Sequence, residues 1–267
     1  MHESRFDNVS LVCCANDETI LARDLLCSPA VRSGQCDLTV LRGEAAASSG
    51  YHNETARCAN QIVVCLHQDI YLPHGWIDRL LQQCDRLPAD WSVAGVCGID
   101  SDRRVHGHVW SSGLTRVIGG PFDPAPCVSL DEVVLIVRGG CGVNFDPEMP
   151  GFHLYGTDIC QQALAAGRGV YAIDAPIIHN SRPVAFLDRG YREAYKYLQR
   201  KWKHRLPLRT CVVPVGRTAW PMHRFNFRQL RRGKLRRSEA TMVDPVAKAS
   251  ELGFDWYGRE RQDGEPS

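Results

Sequence analysis

Short apolar runs separated by segments of helical spacing set the first limit on how this chain folds. VSLVCC (9–14), DLTVL (37–41), QIVVCL (61–66) and WSVAGVCG (91–98) are nearly unbroken hydrophobic stretches. A strand with one wet face alternates apolar and polar residues, so these runs predict strands buried on both faces. Between them, DETILARDLL (17–26), ASSGYHNETARCAN (47–60) and HGWIDRLLQQCDRL (74–87) have the character of helices. The alternation predicts an α/β fold, a mostly parallel central sheet flanked by helices. Ligands in such sheets bind in the crevice beyond the carboxyl ends of the strands.

The middle of the chain changes character. Residues 98–127 are rich in Gly, Ser and Pro and read as a long surface excursion or a pair of hairpins. DEVVLIVR (131–138) returns to a strand, and YGTDICQQALAAG (155–167) reads as a helix closed by Gly167. GVYAIDAPIIHNS (169–181) supplies a further strand and a loop carrying His179, and YREAYKYLQRKWKHRL (191–206) a strong helix. The rest is weakly patterned, and no internal repeat is visible. The division expected is a main domain over 1–205 and a helical, basic, partly flexible extension over 206–267.

Composition adds the class. A chain of 267 residues, 44% hydrophobic and 23% charged, is ordinary for a globular protein. The net charge of +2 hides one strongly basic stretch, HRFNFRQLRRGKLRR (223–237). Such a run is a solvated face or tail, or a surface for an anionic membrane or an acidic partner. Twelve cysteines include no CxxC pair, and several sit inside apolar strand-like runs, where cysteine acts as a small hydrophobe. The N-terminus lacks a signal layout, and no apolar run approaches about 18 residues. The expectation is a reduced cytoplasmic protein, with peripheral membrane contact through the basic C-terminal segment.

The polar residues at the strand ends carry the chemistry. Asp69 is the third residue after the third apolar run, with His67 on the same side of an extended segment. A carboxylate there suits a turn or a helix cap, and it also suits a hard divalent cation with substrate phosphates. Asp158 reads as a helix-start carboxylate and His179 as a loop histidine, or both belong to a site. No short Cys/His spacing supports zinc.

In order and spacing, VSLVCCANDE, GYHNETARCAN, LHQDIYLPHGW, AGVCG, DEVVLIVR, FDPEMPGFHLYGTDIC and IIHNS resemble the family 2 glycosyltransferases of the GT-A fold. Within that family they resemble the branch with HQD in place of an Asp-x-Asp motif, from about residue 9 to 202. The resemblance implies an inverting glycosyltransferase that moves a sugar from a nucleotide-diphospho-sugar, a UDP-sugar, to a hydroxyl of a glycan or lipid-linked acceptor. It also implies a divalent metal, Mn²⁺ or Mg²⁺, and a place in polysaccharide or surface-glycan synthesis, with no nucleic-acid partner. Position by position, Asp69 matches the last Asp of the metal motif, and His67 stands where its first Asp would be. Gln68 lies between them, and His179 matches a position that supplies another metal ligand. Asn16, Asp17 and Glu18 match the nucleobase-contacting stretch, and Asn53 lies in the segment following the ribose. Relatives place a general base at the start of the later helix. Here Gly156 falls on that position and Asp158 on the next acidic one, so Asp158 is the expected base.

Two rivals are weaker. A nucleotidyltransferase would show a Gly-rich basic loop after the first strand, and CCANDET has neither glycine nor lysine. A non-catalytic sugar-nucleotide binding protein stays open because of Gly156. The cysteine reading has its own test: thiol titration of denatured protein purified without oxidant is expected to find all twelve free. Several stable bridges would instead point to an oxidising compartment.

Overall fold

A computed structural model describes residues 9–58, 62–182, 186–231 and 242–258. Thirteen strands are present among them: β1 (Val9–Ala15), β2 (Asp37–Arg42), β3 (Ile62–His67), β4 (Ile70–Tyr71), β5 (Trp91–Gly95), β6 (Cys97–Ile99), β7 (Val105–Ser111), β8 (Arg116–Gly119), β9 (Ala125–Pro126), β10 (Ser129–Leu130), β11 (Val134–Arg138), β12 (Gly169–Ala172) and β13 (Ile177–His179). The helices are α1 (Glu18–Arg23), α2 (Pro29–Arg32), α3 (Ala47–Arg57), α4 (Trp76–Asp85), α5 (Tyr155–Ala165), α6 (Arg189–Lys201), α7 (Trp220–Arg231) and α8 (Pro245–Glu251).

The seven-stranded central sheet has the order β2-β1-β3-β11-β5-β12-β9. β1 pairs in parallel with β2 and β3, and β5 with β12, whereas β11 runs antiparallel between β3 and β5. The sheet is therefore mixed, and the fold is the α/β, GT-A-like class that the sequence led us to expect. Side-chain alternation along the central strands feeds two cores. On β3, Val64 and Leu66 face one core while Val63 and Cys65 face the other; on β11, Val134 and Ile136 oppose Leu135 and Val137 in the same way. Helices α1 and α4 cover the first face, and α3, α5 and α6 cover the second. Burial on both faces explains why the strands read as unbroken apolar runs.

WSVAGVCG reads as one strand but serves two sheets. The chain leaves β5 at Gly95, where a Cβ would lie 2.9 Å from the Val134 carbonyl oxygen. It then enters β6 of a second, six-stranded sheet ordered β10-β6-β7-β13-β4, with β8 on β7. The polar excursion at 98–127 is thus largely two antiparallel pairings, β6 with β7 and β7 with β8.

Residues beyond 205 share these cores. Leu208, Val213, Val215 and Met222 belong to the second core, and the Tyr195 hydroxyl donates to the Thr218 carbonyl at 3.0 Å. Of the basic run, residues 232–237 lie outside the described part. The C-terminal segment crosses to the other side, where Ala249 and Phe254 pack on Tyr71 and Ile178. There Trp256 N–H donates to the His74 carbonyl at 2.7 Å, and Asn180 Nδ2 donates to the Val243 carbonyl at 3.0 Å. All twelve cysteines are free thiols. Among the described residues, no helix is long and apolar enough to cross a membrane.

Gly75, just before α4, is what lets the C-terminal segment come so close. Its φ is +73°, and a Cβ there would stand 2.1 Å from the Trp256 carbonyl oxygen. Gly75→Ala combines left-handed strain with a backbone clash and is expected to cost on the order of 2 kcal/mol. Limited proteolysis should then cut first within residues 242–258, and a cleavage pattern and urea midpoint like those of the wild type would refute this account.

Candidate metal centre at the strand ends

β3 is apolar until its last residue, and the chemistry begins there. In the register of β1 and β3, Cys14 lies opposite His67, so the loops after both strands leave the sheet side by side. Gln68 ties them together. Its Oε1 accepts from the N–H groups of Asn16 (2.9 Å) and Asp17 (3.0 Å), and its Nε2 donates to Asn16 Oδ1 at 2.7 Å. Asp17 caps α1 by accepting from Thr19 and Ile20 N–H, which satisfies donors that the first helical turn leaves unpaired. Glu18 reaches across to Arg42 at the end of β2, with Nε to Oε1 at 2.6 Å, and that bond holds its carboxyl below the usual range. Asn16, Asp17, Glu18 and Gln68 therefore form one loop system. Asn53 is exposed on α3, and no described hydrogen bond joins it to them.

Asp69 sits in the turn between β3 and β4. β13 pairs antiparallel with β4, His179 opposite Ile70, and Asn180 N–H donates to the Asp69 carbonyl at 2.8 Å. This pairing delivers His179 Nε2 to 3.4 Å from Asp69 Oδ1, while His67 Nδ1 approaches the same oxygen to 3.9 Å. One donor atom from each of His67, Asp69 and His179 lies within 4.8 Å of the others, a spacing at which one cation can contact all three. His67, expected among the donor-binding residues at the place of the metal motif's first Asp, is thus a third member of the cluster with Asp69 and His179. The spacing in sequence could not show how close His179 comes, because it joins the other two only through β-pairing.

The protonation states are pushed apart. Burial alone would raise the Asp69 carboxyl, but the charge and hydrogen bond of His179, with the charge of His67, hold it far below the usual carboxylate range. Burial disfavours the His179 cation, yet Asp69 overrides that and lifts its pKa. For His67 burial prevails over Asp69, and His179 adds repulsion, so its pKa falls. The two imidazoles are thus shifted in opposite directions around a carboxylate held in its anionic form.

Next to the triad, the Tyr155 hydroxyl lies 3.2 Å from His67 Nε2 and 3.4 Å from the Glu132 carbonyl oxygen. The half-buried Glu132 side chain lies beside the N-terminus of α5, where the backbone N–H groups around it, its own and those of Gly156 and Leu154, favour its charged form. Burial, aided by Asp131, nevertheless lifts its pKa to about 8. Gly156 explains the departure at the expected base position. A Cβ there would stand 2.8 Å from the Leu130 carbonyl oxygen and 3.3 Å from Glu132 Cγ, so Glu132 fills the place a residue-156 side chain would take.

Asp158, the base expected from sequence, is 1% exposed and fully engaged. Trp202 Nε1 donates to Oδ1 at 2.7 Å, and Gln162 Nε2 (2.9 Å) and Lys201 Nζ (2.7 Å) donate to Oδ2. Lys201 also bonds Asp146. The carboxylate clamps α5 to α6 and leaves almost none of its surface open to solvent.

No family model matches the chain. Over 172 residues, 61% of this chain and 68% of the relative, it is 33% identical to "ATP synthase subunits region ORF 6" of Fuscovulum blasticum. Among solved structures it overlaps GalNAc-T7 with UDP, GalNAc and Mn²⁺ (TM-score 0.43, 11% identity, 85% of this chain and 55% of that one). It also overlaps the mannosyltransferase PcManGT from Pyrobaculum calidifontis in complex with GDP-Man and Mn²⁺ (0.41, 14%, 97% and 76%). A third overlap is with A197 from STIV (0.39, 6%, 63% and 82%). The chain spans about half the length of GalNAc-T7. Overlaps this loose assign no activity.

The triad makes a direct prediction. Calorimetric titration with Mn²⁺ should show binding that Asp69→Ala abolishes and that His67→Ala or His179→Ala weakens at least about tenfold. Ligation needs neutral imidazoles, so affinity should fall as the pH is lowered, and the fall should begin above the ordinary imidazole range because the pKa of His179 is raised. Unchanged Mn²⁺ affinity in a folded Asp69→Ala protein would dismiss the site.

Proposed function

The chain belongs to the same family as the Fuscovulum blasticum ORF 6 protein, and we propose that it is a metal-dependent glycosyltransferase. In this reading a nucleotide-diphospho-sugar, a UDP-sugar, gives its sugar to a hydroxyl of a glycan or lipid-linked acceptor, with inversion at the anomeric carbon. The observation that carries it is the His67, Asp69, His179 cluster at the end of a buried strand, beside the loop pinned by Gln68. The order of motifs resembling family 2 glycosyltransferases supports it. Two imidazoles with one carboxylate suit Mn²⁺ or another first-row ion better than Mg²⁺, which prefers oxygen ligands. When bound, the cation supplies positive charge against the departing diphosphate.

The protein's own groups do the rest. The backbone of residues 16–18, fixed by Gln68 and by the Asp17 cap, offers a rigid edge for the nucleobase, and Asn53 a polar group for the ribose. Arg42 stands beside that loop through its bond to Glu18. Glu132 takes the acceptor hydroxyl proton as the oxygen attacks the anomeric carbon and the bond to the diphosphate breaks. Its pKa of about 8 is close to the operating pH, where a base balances availability against strength. Asp158 has the different task of holding α5 against α6.

Donor hydrolysis across a panel of nucleotide sugars, with and without Mn²⁺, tests the reading; no Mn²⁺-dependent turnover of any donor would refute it. Glu132→Gln is expected to lower transfer by at least about two orders of magnitude with donor affinity little changed. Asp158→Asn should lower stability by about 2 kcal/mol, because Lys201 and Trp202 lose their charged partner. It should lower turnover per folded molecule far less than Glu132→Gln does. The reverse ranking, with Asp158→Asn inactive yet stable, would return the base to Asp158. If no variant or wild type transfers sugar while a nucleotide sugar still binds, the non-catalytic binding reading takes over.

A further inference from the structure

α7 shows a face that the fold does not cover. Its inner side is anchored by Met222, which is buried, and by Asn226, whose side chain bonds the Leu187 backbone twice, at 2.9 and 3.1 Å. Away from that side, Trp220 is 67% exposed and Phe227 58%, and Leu230, on the flank between them and Asn226, is 47% exposed. At 100° per residue these three fall on one side of the helix, together with Arg224 and Arg231, both exposed. Arg231 lies over the Phe227 ring at 5.9 Å. The segment WPMHRFNFRQLR contains no acidic residue, although the molecule as a whole is close to neutral at +2.

Large apolar side chains set among arginines, with no carboxylate between them, are poorly matched to water. A purely solvated face would be polar throughout, and a nucleic-acid face would use its cations while leaving an aliphatic leucine without a role. A bilayer interface accommodates both. Tryptophan and phenylalanine settle at headgroup depth, and arginine keeps its guanidinium at the phosphates while its stem lies along apolar neighbours. Twelve helical residues span about 18 Å, enough for the helix to lie in the interface plane but too short to cross it.

We propose that the outward face of α7 docks on an anionic lipid bilayer. Trp220, Phe227 and Leu230 enter the headgroup layer, and Arg224, Arg228 and Arg231 pair with lipid phosphates. The proposal rests on this face alone and stands whether or not the triad transfers sugar. Seating α7 brings the anchored Leu187 segment, only a few residues after β13, close to the lipid surface.

Sedimentation of the full chain tests it, with vesicles of phosphatidylcholine alone and of phosphatidylcholine mixed with phosphatidylglycerol. The wild type is expected to pellet with the mixed vesicles at low salt, and about tenfold less with the neutral ones. Reversing Arg224, Arg228 and Arg231 to Glu should weaken binding on the order of 100-fold. Trp220→Ala/Phe227→Ala/Leu230→Ala changes only exposed positions, so it should keep the wild-type circular dichroism yet lose binding that added salt does not fully remove from the wild type. Failure of the wild type to pellet with anionic vesicles would overturn the proposal. So would equal binding by the apolar triple variant, tight binding to a duplex DNA probe without lipid binding, or self-association through α7 without lipid binding.

Discussion

A strand covered on both faces can carry polar chemistry only where it leaves the sheet. β3 is such a strand: from Val63 to Leu66 every side chain is in a core, and His67 is the first that is not. Everything at the candidate site depends on this termination. Gln68 turns back to hold the loop after β1, Asp69 faces the crevice, and the second sheet brings His179 alongside through the β4–β13 pair. The cores fix the strand ends, and the strand ends fix the distances among donor atoms.

Two carboxylates show how position decides role more than residue type does. Asp158 and Glu132 are both pulled out of water, and burial raises the pKa of each. Asp158 meets a lysine, an indole N–H and an amide, so its charge is absorbed within the protein. Glu132 has backbone N–H groups, its own and those at the start of α5, in place of a cationic partner, with Asp131 beside it, and it keeps solvent exposure. Leu154, at φ +63°, holds the backbone that starts this helix, and a strained residue at that point fits a feature kept for the site rather than for stability. The glycine at 156 is a steric consequence of Glu132 and of the Leu130 carbonyl.

The strands were legible in the sequence because double burial writes itself as continuous apolar residues, and so was the position of Asp69 just past one of them. The break of WSVAGVCG into two sheets was not, since both halves are equally apolar and only the close approach at Gly95 separates them. His67, Asp69 and His179 were each visible as polar residues at strand ends, but their convergence depends on a β-pairing between segments more than 100 residues apart. Glu132 was hidden for a similar reason: in DEVVLIVR it looks like a strand's polar lead-in, and its partner is the start of α5. α7 was lost among the weakly patterned residues because its outward face mixes aromatics with arginines, which blurs the usual contrast between an apolar and a polar side.

The C-terminal segment lies against the same strand pair that presents the site. His74 N–H donates to Asp255 Oδ1 across 181 residues of chain, and Phe254 packs on Tyr71 and Ile178. Contacts so distant in sequence close late, because the loop they seal is long. On a ribosome all three donor residues are made well before the segment that covers their carriers. Until residue 256 has emerged, β4 and β13 must wait with one side open to water. The side of β4 and β13 that Phe254 covers is therefore the last to be closed as the chain is made.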